Sequence, residues 1–363
     1  MNQADLGEQM ELKCYESACG LPSAWDFCIE SWRSDLPGGG AVYLKKAFLE
    51  FLESVNPCGQ RYWFSEAAGV LFVTYSLKLN LLNFARFGRL AVPAIIVGVP
   101  LSVAAPGFAT RDASGRALMS RWIRGQFKGL TVILNAPEGE AFDLPEGLTL
   151  SSYVLPLPHE GFEDYMAALR SPYRRQARRA LEAFKGVETW KFGWAQSRTT
   201  RPSPLWSVPV PHQSLYPLYL EVFNHSKDQL EKLPITYFER FPGTTTAFVH
   251  DGRPLAFVQP LDEVTPAGKI RHFVLGGFDR SQLLKFDLYR NLLLHLIQDA
   301  FADGCTAINL GQTAAESKSK TGAQEQLKYL YLAHSSPALH KLLGALVKGF
   351  SYQRYRVKHH VFK

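Results

Sequence analysis

The sequence predicts a mixed α/β (α+β) protein of two domains, each a mixed, largely antiparallel sheet flanked by helices. Three observations carry that expectation. The chain has 363 residues, enough for two cores of ordinary size. An Asp251-Gly252 turn separates two apolar runs, Thr245 to His250 and Leu255 to Leu261, which is the pattern of an antiparallel hairpin. After it come a third apolar run from Ile270 to Gly276, a helical pattern from Phe286 to Ala302 and a short strand pattern from Thr306 to Leu310.

Taken in order, the chain begins with scattered Trp and Cys and a loop, Leu36-Pro37-Gly38-Gly39-Gly40. From Ala41 to Val55, the residues Val42, Leu44, Phe48, Leu49 and Leu52 recur at helical spacing. Arg61 to Phe72, Val73 to Leu82 and Ala91 to Val103 read as β-rich segments, Ala117 to Lys128 as a helix, and Leu130 to Leu134 as a strand. Pro156 and Pro158 mark a break, which divides the chain into domains at 1–160 and 161–363. Phe162 to Phe184 reads as one long helix. Residues 197–213, rich in Ser, Thr, Arg and Pro, read as a loop, and Leu215 to Leu230 as a helix.

Composition narrows the class. Hydrophobic content of 46% with 20% charged residues fits a soluble globular protein. The longest apolar stretch, Leu90 to Ala105, is broken by Pro93, Gly98 and Pro100, so no membrane span is expected. Met1 to Leu6 lacks a basic region followed by an apolar core, so no signal peptide is expected. The cysteines (Cys14, Cys19, Cys28, Cys58, Cys305) are odd in number and form no CxxC pair, which argues against a disulfide framework or structural zinc site and for a reducing cytoplasm. A net charge of +7 and pI near 9.1 favour an anionic partner such as a nucleotide, phosphopantetheine, an acidic carrier protein or RNA.

Two segments carry chemistry. Asn309-Leu310-Gly311-Gln312-Thr313-Ala314-Ala315-Glu316-Ser317-Lys318-Ser319-Lys320 leaves a short buried strand and becomes polar, at the strand end where α/β proteins commonly bind ligands. The second is Tyr173-Arg174-Arg175-Gln176-Ala177-Arg178-Arg179, in which Arg174 with Arg178 and Arg175 with Arg179 share helix faces and form a candidate phosphate grip. A solvated helix face and a decorated loop are the plain alternatives. His272 lies in a strand pattern and suits either a core role or a base. Tyr289 opens the long helix and suits either packing or protonation of a leaving group. Cys305 reads as core, and no Ser-His-Asp order or metal-ligand spacing stands out.

The order hairpin, third strand, long helix, strand is that of the acyl-transferring half of the Gcn5-related N-acetyltransferase (GNAT) fold. With Asp287-Leu288-Tyr289, Asn309-Leu310-Gly311-Gln312-Thr313, Lys318 and Gly322-Ala323, the C-terminal half resembles the FemAB-like proteins, which are tandem repeats of that fold. The resemblance covers roughly residues 160–345; over 41–135 it is architectural only. It implies two tandem GNAT-like domains, the N-terminal one degenerate, with residues 161–186 as the inter-domain helix. It also implies transfer of an acyl or aminoacyl group to an amine.

Under that resemblance the expected catalytic set is Lys318 (oxyanion or carboxylate), Glu316 (proton acceptor), Gln312 (carbonyl orientation), His272 and Tyr289. The expected donor-binding set is Arg174, Arg175, Arg178, Arg179, Arg280 and Lys285, with no metal. One departure concerns the donor. Gly277-Phe278-Asp279-Arg280-Ser281-Gln282-Leu283-Leu284-Lys285 lacks the spaced glycines that let backbone N–H groups bind the coenzyme A pyrophosphate. The first expectation is therefore a pantetheine thioester donor, on an acyl carrier protein or as acyl-CoA, with no tightly bound cofactor and a small-molecule or peptide amine as acceptor. The alternative is an aminoacyl-tRNA donor serving a cell-wall precursor or a specialised metabolite; a further one is a non-catalytic binding module.

Overall fold

A computed structural model describes residues 12–33, 38–80, 91–193, 212–226, 231–355 and 357–363. The loop expected over 197–213 lies almost wholly outside them, as do the N-terminal residues 1–11, part of the Leu36 to Gly40 loop, Leu82 and the end of the Leu215 to Leu230 helix. In chain order the first elements are β1 (Lys13–Tyr15), α1 (Ala24–Arg33), α2 (Lys46–Val55), β2 (Arg61–Ser65), β3 (Val70–Asn80) and β4 (Ala91–Val97). Next come β5 (Phe108–Thr110), α3 (Ala113–Gln126), β6 (Leu130–Pro137), β7 (Glu146–Leu148), β8 (Ser152–Pro156), α4 (Phe162–Ala168), α5 (Ser171–Ala183) and β9 (Glu188–Gly193). They are followed by α6 (His212–His225), α7 (Ile235–Arg240), β10 (Thr244–His250), β11 (Arg253–Thr265), β12 (Gly268–Phe278) and α8 (Leu288–Ala302). The last are β13 (Ala307–Asn309), α9 (Ala315–Ser319), β14 (Gln324–Gln326), β15 (Lys328–His334) and α10 (Pro337–Leu346).

The chain forms two compact units. One comprises Met1–Ser152 and Gln326–Arg354, the other Tyr153–Glu325 and Tyr355–Lys363. Each holds one sheet, ordered β1-β2-β3-β4-β6-β15-β7 in the first, with β5 on β3, and β14-β8-β13-β12-β11-β10-β9 in the second. The same series occurs twice: β2-β3-β4-α3-β6 and β10-β11-β12-α8-β13. In both, the helix returns the chain to a strand parallel to its neighbour, β6 to β4 and β13 to β12. Beyond that parallel strand the repeats exchange partners. β8 follows β6 in the chain but pairs antiparallel with β13; β15 follows β13 but pairs antiparallel with β6. The contiguous division 1–160 and 161–363 thus differs from the compact units at residues 153–160, which belong to the second, and at 326–354, which belong to the first, because a strand pattern predicts pairing without naming the partner.

Local chemistry explains most elements. Asp251 and Gly252 both have positive φ, 49° and 73°, as a two-residue hairpin turn between β10 and β11 demands. α8 buries Leu288, Leu292, Leu293, Leu294, Leu296, Ile297 and Ala300, and each fully buried leucine contributes roughly 2 kcal/mol of transfer free energy. Gly277 is required by close approach: a Cβ there would meet Leu218 and Tyr219 backbone atoms of α6 at 2.7 Å.

Two helices are shorter than expected. The Phe162 to Phe184 pattern is broken at Leu169 and Arg170, where Leu169 bridges Phe362 and Arg170 donates to the Phe362 carbonyl; Pro172 then starts a new helix. The Ala41 to Val55 pattern divides at the extended Lys45 into a 3-10 turn, Ala41–Leu44, and α2.

Candidate functional site

The loop after β13 is built under strain. Ile308 is fully buried and Asn309 nearly so, and the Asn309 side-chain oxygen accepts the Gly311 N–H at 3.0 Å. Gly311, Thr313 and Ala314 then take φ values of 72°, 61° and 47°. Two consecutive non-glycine residues in the left-handed region cost on the order of 1 kcal/mol or more each, a cost found mostly where function needs the shape. The loop delivers the chain into the single turn of α9.

Lys318 lies on that turn and is 2% exposed. Its Nζ donates to the Gln312 backbone carbonyl, and among the described residues it has no carboxylate partner. Burial alone lowers its pKa from the ordinary 10.5 to about 7. The backbone beneath it is fixed: the Lys318 carbonyl accepts from Thr321 Oγ1 at 2.7 Å and Thr321 N at 3.0 Å, and Tyr165 donates to the Thr321 carbonyl at 2.9 Å. Glu316 and Lys320 stand in the same segment as an exposed ion pair, and the Lys320 ammonium holds the Glu316 carboxyl below the usual carboxylate range. Gln312 is half-buried.

His272 is the residue of β12 in register with Asn309. Its Nε2 lies 2.7 Å from Glu263 Oε2 across the β11–β12 pair, and both side chains are buried. Sequence reasoning missed Glu263, because its pairing depends on the β11–β12 register. Tyr289 begins the second residue of α8 and packs against the core that holds Leu310 and Ala323; burial raises its pKa. Its hydroxyl has no hydrogen-bond partner among the described residues. Cys305 belongs to that same core.

α5 buries Ala177 and Ala180 in this core and leaves Arg175, Arg178 and Arg179 exposed. Arg174 donates to the Ala167 carbonyl at 3.0 Å. None of the four arginines forms an ion pair among the described residues. The turn before α8 is closed by its own contacts. The N–H of Asp279 bonds the Leu255 carbonyl, that of Arg280 the Glu221 carboxylate, that of Ser281 the Asp279 carboxylate, that of Gln282 the Asp279 carbonyl and that of Leu283 the Arg280 carbonyl. Five successive donors are therefore committed within the chain. Lys285 lies 4.7 Å over the Phe286 ring, and Arg280 and Lys285 are exposed. Among the described residues no cluster of three or more His, Cys, Asp or Glu is placed to hold a metal, and no helix is long and apolar enough to cross a membrane.

The sequence matches no family model and no curated protein. Solved structures do resemble it. FemX is 10% identical with a TM-score of 0.53, over 92% of this chain and 100% of that one. The C-terminal domain of a candidate lysylphosphatidylglycerol synthetase from Agrobacterium fabrum is 12% identical at 0.51, over 90% and 95%. A Bacteroides thetaiotaomicron protein of unknown function is 10% identical at 0.50, over 89% and 100%. At such identities the likeness speaks for fold, and the fold is the tandem GNAT-like one that the FemAB-like resemblance implies.

Proposed function

We propose that the second unit is an N-acyltransferase centred on the β13–α9 loop. The single observation that carries this reading is Lys318: a buried amine, near neutrality in proton affinity, already donating to a carbonyl oxygen held by a strained loop. In the proposed reaction the transferred carbonyl takes the place of the Gln312 carbonyl against the Lys318 amine. The acceptor amine attacks that carbonyl, a C–N bond forms, and the C–S bond of a thioester breaks. Lys318 takes the proton released by the amine, Gln312 orients the carbonyl, and the Tyr289 hydroxyl protonates the leaving thiolate, its proton being restored from the Lys318 ammonium through water so that both groups return to their starting state. His272, fixed by Glu263 of β11, stands in register with Asn309 at the start of the loop and serves as a positioning residue.

The donor we favour is a pantetheine thioester presented on a carrier protein, because the committed N–H groups of residues 279–283 leave no backbone cradle for a free pyrophosphate. A second reading, aminoacyl-tRNA, is supported by the exposed arginines of α5, which suit a phosphate backbone; there the broken bond is the ester C–O. The acceptor class is an amine of a small molecule or peptide in either case.

A donor panel of acyl-CoA, acyl-carrier protein and charged tRNA, each with and without RNase, tests this. Turnover with carrier protein that survives RNase supports the first reading, and RNase-sensitive turnover the second. No turnover with any donor over a broad amine panel overturns the enzyme assignment in favour of a binding module.

A further inference from the structure

The first unit contains a cleft of about 350 Å³ lined by Arg121, Arg124, His334, Ser335 and His340. Arg121 and Arg124 are three residues apart near the end of α3, so their side chains emerge from one face. Both are exposed, and neither has an ion-pair partner among the described residues. The groups opposite come from the β15–α10 turn. The Ser336 N–H donates to His334 Nδ1 at 2.9 Å, which requires neutral His334 to carry its proton on Nε2. The Gly129 N–H donates to Ser335 Oγ at 2.9 Å, so the hydroxyl proton remains available. Ser336 caps α10 with no side-chain bond, leaving first-turn N–H groups of a ten-residue helix uncapped beside the cleft. His340 Nδ1 is buried without a protein partner.

Gly125 and Pro337 complete the lining, and its polar part consists of donors and cations. Asp143 is the acidic group felt at His340, and it does not balance two guanidinium groups. A cavity with two fixed positive charges, an Nε2–H, a hydroxyl and a helix N-terminus suits a compact anion with several oxygens.

We propose that this cleft is a binding site for a phosphate group, separate from the transfer site of the second unit and independent of the function proposed for it. The phosphate can be that of a soluble phosphorylated molecule or of a lipid headgroup. α10 carries exposed Leu339, Leu342 and Leu346, which would lie along an apolar phase in the second case.

The test uses the full chain. Inorganic phosphate is titrated at constant ionic strength while the imidazole C2–H resonances of His334 and His340 are followed by NMR. Saturable shifts are expected in the wild type, with affinity at least about tenfold weaker in Arg121→Ala/Arg124→Ala and partly restored in Arg121→Lys/Arg124→Lys. Absence of saturable shifts, or equal shifts in the Ala and wild-type chains, overturns the proposal. Circular dichroism and a melting curve establish that each variant is folded. His334→Phe, which removes the Nε2 donor while leaving the arginines in place, should also weaken binding; unchanged affinity there rejects the arrangement.

Sedimentation with phosphatidic acid vesicles against phosphatidylcholine vesicles separates the sources. Retention on the former, competed by inorganic phosphate and lost in Leu342→Gln/Leu346→Gln, assigns a lipid headgroup. Phosphate binding without retention assigns a soluble ligand.

Discussion

Arg33, at the end of α1 in the first unit, and Lys318, on α9 in the second, are buried basic side chains in opposite surroundings. In the first unit Arg33 is 3% exposed, bonded to both Glu140 carboxylate oxygens at 2.6 and 3.3 Å and to the Phe108 carbonyl, and stacked over the Phe108 ring. In the second unit Lys318 is equally buried and meets only a carbonyl. At Arg33 burial lowers the guanidinium's pKa while the Glu140 carboxylate opposes it, and the bonded pair locks its surroundings. At Lys318 no carboxylate opposes burial, and the pKa falls to about 7. The contrast teaches that the kind of cation and the presence of a carboxylate set the charge of a buried group; Lys328 of the first unit, also buried, is likewise lowered, to about 8.

The largest expected effect on the proposed reaction is at Lys318. Lys318→Ala should reduce turnover by roughly two to four orders of magnitude in a single-donor assay, the range typical of losing a proton-transfer or oxyanion group. Near-normal turnover removes Lys318 from the mechanism. The same substitution class should act oppositely on stability. The folded pKa of about 7 lies below the 10.5 of the free amine, so the unfolded chain holds more protons between those values. Burial therefore destabilises most below pH 7, and stability rises as pH increases from about 7 toward 10. Lys318→Met should stabilise by a few kcal/mol at neutral pH, roughly 1.4 kcal/mol per pKa unit displaced, with the gap to wild type closing by pH 10 in denaturant titrations. A pH-independent gap contradicts a neutral buried amine.

Breaking the locked end should cost stability alone. Glu140→Gln leaves the Arg33 guanidinium buried without its carboxylate, and about 3–5 kcal/mol should be lost in chemical denaturation. A loss below about 1 kcal/mol would mean that Arg33 finds another partner. The arginine face of α5 offers a smaller effect. If the donor is RNA, each of Arg175→Ala, Arg178→Ala and Arg179→Ala should lower the slope of log affinity against log salt by about 0.7–0.9, with no change in melting temperature. The smallest effect is expected at Glu316, exposed and paired with Lys320: Glu316→Gln should alter turnover by less than about tenfold, and a larger loss would return the proton-accepting role to it.

Much of the architecture was legible because it depends on local rules. The Asp251-Gly252 turn, the apolar face of α8 and the short strand before the polar loop all follow from turn chemistry and periodicity. Within the candidate site, sequence placed Gln312, Glu316 and Lys318 on one segment after a strand. It did not separate them. Burial made Lys318 a near-neutral amine, while exposure left Glu316 an ionised partner of Lys320. Glu263 was invisible because it reaches His272 only through strand register. Thr313 and Ala314 carry no mark of left-handed backbone, since neither residue type favours it.

The amino-acid sequence by itself determined the element types and the position of a polar loop beyond a buried strand. These are short-range consequences of side-chain pattern and turn propensity. Tertiary structure alone decided the exchange of β8 and β15 between repeats, the protonation of Lys318 and the closed turn over residues 279–283. Each depends on which distant groups meet, and a linear pattern of apolar and polar residues does not encode the identity of a partner.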